Sequence, residues 1–372
     1  MLILCNHNLK QVKRIVFIPL FILVTVLYQR CSTDVELNEI GAGTPVIYGL
    51  LDQNETYHFI RINKTFVGQG NALDFALVRD SSEYDPTLVD ARIEEYVNGT
   101  LTRSWALIDT VLQNRPADGA FYYPEYTAYY FVEPSLNEEA TYKLVAEIGA
   151  ENNKKTVTAE TGLVDDFNIQ SPVVNYPPGT PQLNINFYGG GIYKSIVVKY
   201  TSSAGAKRYN LSLALNYDEV NGSVVTPRVI EWNLGDKKTS GVDGNEQIET
   251  TVSGEGFFTY IASKIASDPV LNDPGITKRI FRGIDFVVAA ASEDLNTYME
   301  LNEPVTGIVQ ERPAFTNVNN GIGLFSARYS KTVRAKWLNY ESLKQLNNGI
   351  YTAPYLFCVD TNAYVGEIFY CP

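Results

Sequence analysis

Histidine is nearly absent: the chain has two in 372 residues, His7 and His58. His7 falls in a basic N-terminal leader, so His58 stands alone, and one histidine cannot build a multi-histidine zinc site or an HExxH helix. His58 is also the sole candidate for a Ser-His-Asp triad. It lies in residues 57–63, whose alternation reads as a β-strand, and no G-x-S-x-G elbow accompanies it. Cysteine is scarce as well, four in all, and no pair has the close spacing of a zinc ligand set. Basic side chains are outnumbered, 30 against 42 acidic, for a net charge of −12. Without the first 30 residues the balance would be 26 against 42, or −16. So acidic a surface repels phosphate backbones and excludes nucleic acid as a partner. The longest apolar run, residues 15–28, has 14 residues, short of the ~20 that span a bilayer. What the chain does have is 45% hydrophobic residues, enough for packed cores, and 25 tyrosines.

The first 14 residues carry Lys10, Lys13 and Arg14 without an acid, and the apolar run follows directly. That layout is a secretory signal over residues 1–30. Cys31 closes it, followed by Ser32, Thr33, Asp34, Val35 and Glu36. A cysteine so placed looks like the acylation site of a bacterial lipoprotein, in which several acyl chains give stable anchoring where one is marginal. Tyr28, Gln29 and Arg30 stand where such sites have small residues; type I cleavage nearby and an uncleaved anchor are the rival readings. Residues 31–44 then form a lipidated tether. Ser32, Asp34 and Glu36 resemble the acidic export signal of Bacteroidota surface lipoproteins. The expected location is the outer membrane, lipid-anchored and exposed at the cell surface.

From Pro45 onward, short alternating runs are separated by turn signals. Residues 46–50 and 57–63 flank Asp52-Gln53-Asn54-Glu55, and residues 91–97 and 101–107 flank Asn98-Gly99, a strong hairpin signal. Residues 142–148 and 155–161 flank a third turn. The chain is therefore expected to be mainly β, opening with an immunoglobulin-like β-sandwich over residues 45–164. Pro172, Pro177, Pro178 and Pro181 mark a linker over 165–182. Gly189-Gly190-Gly191 lacks the P-loop pattern and reads as a turn between strands. Helices are predicted over 256–267, after an N-cap at Ser292, and over 336–347. Residues 183–372 thus read as a curved β-sheet or partial barrel with a few short helices. Cys358 and Cys371 suit a disulfide closing a terminal hairpin, which would contribute about 3 kcal/mol in the loop-entropy model. Two unpaired thiols are the alternative.

Several segments resemble one family: uncharacterised Bacteroidota outer-membrane lipoproteins that share a domain of unknown function and are often encoded beside TonB-dependent transporters. The resemblance rests on residues 46–50 leading into 59–64, on 140–144 with 157–161, and on the G-x-G-x-F run within 317–328. It implies a location and a partner, a surface lipoprotein beside a TonB-dependent transporter. It implies no catalytic residue.

Two features of the residues bear on function. Residues 121–131 hold seven aromatics in eleven positions, and Tyr122, Tyr123, Tyr126, Tyr129 and Tyr130 are a candidate surface for a glycan or peptide. Alternate members filling a core is the competing reading. Acidic groups at Asp80, Glu83 and Asp85, and at Asp243 with Glu246, lack the spacing of a calcium loop. Asp165-Asp166 and Asp218-Glu219 are weak candidates for a carboxylate hydrolase. The function expected is therefore non-enzymatic: assisting nutrient capture beside a transporter, with no cofactor and no metal. An independent glycan- or peptide-binding lipoprotein is the alternative.

Overall fold

In the computed structural model the described residues are 43–66, 71–172, 184–303 and 314–371. The chain runs through β1 (Pro45–Leu51), β2 (Tyr57–Lys64), α1 (Ala72–Ala76), α2 (Arg79–Ser82), β3 (Val89–Val97), β4 (Thr100–Ala106), β5 (Ile108–Leu112), β6 (Tyr126–Val132), β7 (Thr141–Ile148), β8 (Lys155–Thr161) and β9 (Ile169–Ser171). There follow β10 (Tyr188–Gly189), β11 (Ile192–Tyr193), β12 (Ser195–Thr201), β13 (Ala206–Asn221), β14 (Val224–Lys238), β15 (Gln247–Ser253), α3 (Gly254–Ser267) and β16 (Lys278–Ser292). The last elements are α4 (Glu293–Asn302), β17 (Val318–Asn319), β18 (Ile322–Lys336), α5 (Tyr340–Asn348) and β19 (Phe357–Cys358). The protein is mainly β, as its alternation predicts.

Local chemistry sets the turns. Asn98 and Gly99 both take positive φ, 50° and 76°, which a two-residue hairpin between β3 and β4 demands. Gly190 and Gly191 do the same between β10 and β11. Ser292 caps α4 by accepting from the Leu295 amide. The helix predicted over 336–347 starts later, at Tyr340: Lys336 still belongs to β18, the Asn339 side chain makes the cap, and Trp337 packs edge-on against Phe281.

The N-terminal sandwich faces β5-β6-β2-β1 against β4-β3-β7-β8. Ile47, Ile60, Ile62 and Phe131 point inward from one sheet, and Ile93, Tyr142, Leu144 and Val157 from the other. Trp105 spans the layers, its ring 5.4 Å from Phe131 and 6.5 Å from Tyr142.

The expected boundaries need correction here. Residues 45–164 supply all eight strands of this sandwich but are not separate from the rest of the chain. The β17–β18 segment, more than 150 residues onward, lays Val318 beside Ala159 on β8 and runs Ile322 to Ala327 parallel to β1. It closes one edge of each sheet. β18 then continues without a break, and its second half pairs antiparallel with β16 from Arg328 to Lys336. A single strand therefore belongs to both halves. One hydrophobic cluster extends from Ile47 to Phe369, and the described residues fall in a single compact unit. The physical reason is edge pairing: β1 and β8 would otherwise expose unpaired backbone groups.

In the C-terminal half the sheet continues as β18-β16-β13-β14, with β19 parallel to the start of β16, and it stays open at β14. On β13, Tyr209, Leu211, Leu213, Leu215 and Tyr217 alternate into the core. The small sheet β9-β12-β15 belongs to the same core, with Phe167 meeting Tyr200, Tyr209 and Tyr329 at ring distances of 6.1, 5.7 and 5.6 Å. This half is sandwich-like, without barrel closure among the described residues. Cys358 and Cys371 form a disulfide buried with Val220 and Ile280. The segment it closes is a loop with a parallel bridge between Val359 and Tyr370, in place of the expected hairpin.

Candidate binding groove

On β2 the inward residues are His58, Ile60 and Ile62, so Tyr57, Phe59 and Arg61 are left on the outer face. Neighbouring strands add Tyr130 from β6 and Tyr48 with Leu50 from β1. Tyr57 is 56% exposed, Phe59 42% and Tyr48 42%, which is unusual for rings this close together. Tyr130 tilts against both β2 rings, at 6.2 Å from Tyr57 and 5.8 Å from Phe59.

Helix α4 raises the opposite wall. Its first turn is fixed by the Ser292 cap and by Asn317, whose amide donates to Asp294 and to the Phe325 carbonyl. Tyr298 then meets Tyr48 edge-on, ring centres 6.0 Å apart, and its hydroxyl donates to the Tyr48 hydroxyl at 3.2 Å. Burial together with the Tyr298 contact pushes the Tyr48 hydroxyl up to about 12, so it stays a neutral donor and acceptor. Between these walls lies a groove of about 920 Å³, floored by Leu50, Leu295 and Leu324.

One end of the groove is charged. Asp52 is buried, accepts the Asn54 amide at 3.1 Å and lies 3.3 Å from Arg328 Nε. Burial raises its pKa, against the opposing pull of the Asn54 amide and the Arg328 guanidinium. Glu55 stands beside it, exposed at the rim. His58 also borders the groove but is a packed side chain, stacked on Phe131 at 4.7 Å with Nε2 2.9 Å from the Glu133 carbonyl oxygen.

The predicted tyrosine surface is only partly realised. Tyr129 is core, 2% exposed. Tyr126 is held between two guanidiniums, Arg61 at 4.8 Å and Arg115 at 4.9 Å from its ring centre. Tyr122 is half-buried, its carbonyl accepting from Arg115 and its amide donating to Ala76. Tyr123 is exposed but precedes β6 and so does not follow the alternation. Tyr130 alone joins the aromatic face that borders the groove. Tyr48, Tyr57, Phe59 and Tyr298 were not singled out from sequence. The Tyr57-x-Phe59 alternation opposite His58-x-Ile60 was the available signal.

The acidic candidates are largely occupied. Glu83 fills a gap where β2 and β6 part, accepting the Thr127 amide at 3.0 Å, the Thr127 hydroxyl at 2.8 Å and Arg79 Nε at 2.9 Å. Asp85 caps the Thr87 amide. Asp166 pairs with Lys331, Asp218 with Arg282, and Glu219 with both Arg228 and Arg279. No cluster of three His, Cys, Asp or Glu side chains suited to a metal occurs among the described residues. Cys31, Ser32, Asp34 and Glu36 lie outside the described residues. No helix among the described residues is long and apolar enough to cross a membrane.

No family model matches this chain, and no curated protein matches it. Among solved structures, the C-terminal globular domain of an oligosaccharyltransferase from Pyrococcus abyssi is similar at 12% identity and a TM-score of 0.21. The match covers 65% of this chain and 45% of that one. A likeness at that level is no guide to chemistry.

Proposed function

We propose that this protein is a non-enzymatic, lipid-anchored lipoprotein of the bacterial cell surface that captures a nutrient in the aromatic groove and delivers it to a TonB-dependent transporter. The groove carries the reading. Tyr48, Tyr57, Phe59 and Tyr298 line one concavity, three of them more than two-fifths exposed, over an aliphatic floor with a few polar groups at one end, the make-up of a small-ligand site. Signal layout, the cysteine at position 31 and the acidic residues after it support the anchoring, and the resemblance to Bacteroidota lipoproteins supports the partner. Within the described residues, Gly43 lies beside Thr65, at the opposite end of β1 and β2 from the turn that forms the groove's charged end.

A mild-detergent pull-down from native membranes tests the proposal. The expected result is a co-purifying outer-membrane barrel and a bound ligand, with ligand lost and barrel retained in the Tyr57→Ala/Phe59→Ala double variant. Retention of ligand in that variant rules out the groove. Ligand without any barrel would make the protein an independent binder.

A further inference from the structure

The groove also constrains the class of ligand. Both strands beneath it are interior: β1 lies between β18 and β2, and β2 between β1 and β6. A peptide that binds by strand addition needs a free edge, and among the described residues no such edge faces the groove. What lines it instead is a set of aromatic side chains over an aliphatic floor, with charged groups at one end. There Arg328 spends its Nε on Asp52, while among the described residues its two terminal nitrogens have no partner, and its side chain is 48% exposed. Glu55, an acceptor, borders the same end and has no side-chain partner among the described residues. A donor and an acceptor therefore both line this groove.

We infer, resting on the capture reading, that the occupant is a neutral oligosaccharide. Each hydroxyl of a sugar is both donor and acceptor, so neighbouring hydroxyls use a guanidinium and a carboxylate at once. The C–H face of a pyranose ring covers a tyrosine or phenylalanine ring as an apolar surface does. Tyr57 and Phe59, two residues apart on one strand face, repeat at about 7 Å and offer successive platforms to a chain of rings. Charge disfavours an anion: Arg328 is already paired with Asp52, which leaves the Glu55 carboxylate to repel one.

The test uses full-length lipidated protein in detergent micelles, titrated by calorimetry with cello-, xylo-, manno- and malto-oligosaccharides, oligogalacturonate and a random peptide pool. At least one neutral series should bind, and Tyr57→Ala and Phe59→Ala should each weaken it about tenfold, the scale of a central aromatic contact. Arg328→Gln should weaken it too. The two aromatic variants should melt with wild type, because both rings are exposed. Peptides that bind in place of sugars, and lose affinity in the same variants, overturn the ligand class and leave capture standing. Binding of oligogalacturonate alone overturns neutrality. Sugar binding unchanged in both aromatic variants places the site elsewhere and overturns the inference. No binding of any probe, with a ligand-free pull-down, ends both this inference and the capture reading.

Discussion

Gly323 lies against Ile47 so closely that a Cβ on the glycine would stand 1.9 Å from the Ile47 carbonyl oxygen. Its φ of 119° is also one that side-chain-bearing residues rarely adopt. This contact is where β18 meets β1, and hence where the two halves of the chain join. Gly323→Ala should therefore destabilise the whole protein by about 3 kcal/mol, from strain and displacement together. Denaturant unfolding measures it, and a midpoint equal to wild type would show that β1 and β18 tolerate separation.

A fragment covering residues 43–166 follows from the same join. It keeps β1 and β8, with β2 and β7 beside them, but loses β18 and β17, which cover their other edges. Exposed edges and an incompletely covered core predict a dye-binding fragment without a sharp melt. Adding a synthetic peptide of residues 316–328 should restore part of the cooperativity. A fragment that melts cooperatively with no peptide present would instead make residues 45–164 a domain of their own.

The difference between these expectations and the sequence reading is one of range. Asn98-Gly99, the Ser292 cap, the glycine turn at 189–191 and the cysteine pair each declare themselves within a few residues, because local backbone preference or covalent chemistry decides them. The pairing of Val318 with Ala159 has no such local sign. Hydrophobic alternation shows that a strand has two faces, not which neighbour it meets. The groove is similar. Tyr57 and Phe59 are readable as an outward pair, whereas the Tyr48–Tyr298 contact joins residues 250 apart and exists only because β18 brings α4 beside β1.

Stability should fall in acid through Glu95. Its carboxylate is buried under β4, accepting Arg103 Nε at 2.9 Å, the Thr102 hydroxyl at 2.7 Å and the Tyr142 hydroxyl at 2.9 Å. The Arg103 hydrogen bonds, chiefly, hold its pKa below the ordinary 4.5. A depressed carboxylate contributes stability that is complete above the unfolded value and is lost as pH falls through the folded one. Wild type should thus lose stability below about pH 4.5, and Glu95→Gln should flatten that part of the profile. The variant should also lose about 1–3 kcal/mol at neutral pH, the range for a buried group whose charged partner is removed. Melting temperatures from pH 3 to 7 would decide it; identical slopes in the two proteins would assign the acid sensitivity to other groups.

Tyr129 and Tyr130 are adjacent on β6 and should behave as opposites. Tyr129 faces the sandwich core at 2% exposure, and burial pushes its hydroxyl well above its ordinary value. That hydroxyl has no hydrogen-bond partner among the described residues, so Tyr129→Phe should be neutral or slightly stabilising. Tyr129→Ala, which opens a cavity beneath β6, should lose about 3–5 kcal/mol. Tyr130 lies on the outer face between Tyr57 and Phe59. Tyr130→Ala should leave the melting temperature within a few degrees of wild type yet reduce ligand recovered in the native pull-down, because its ring props both β2 rings. Thermal melts and pull-downs on the three variants separate the two roles. If Tyr130→Ala destabilises as much as Tyr129→Ala and leaves recovery unchanged, the outer aromatic face is a structural layer and the ligand binds without it.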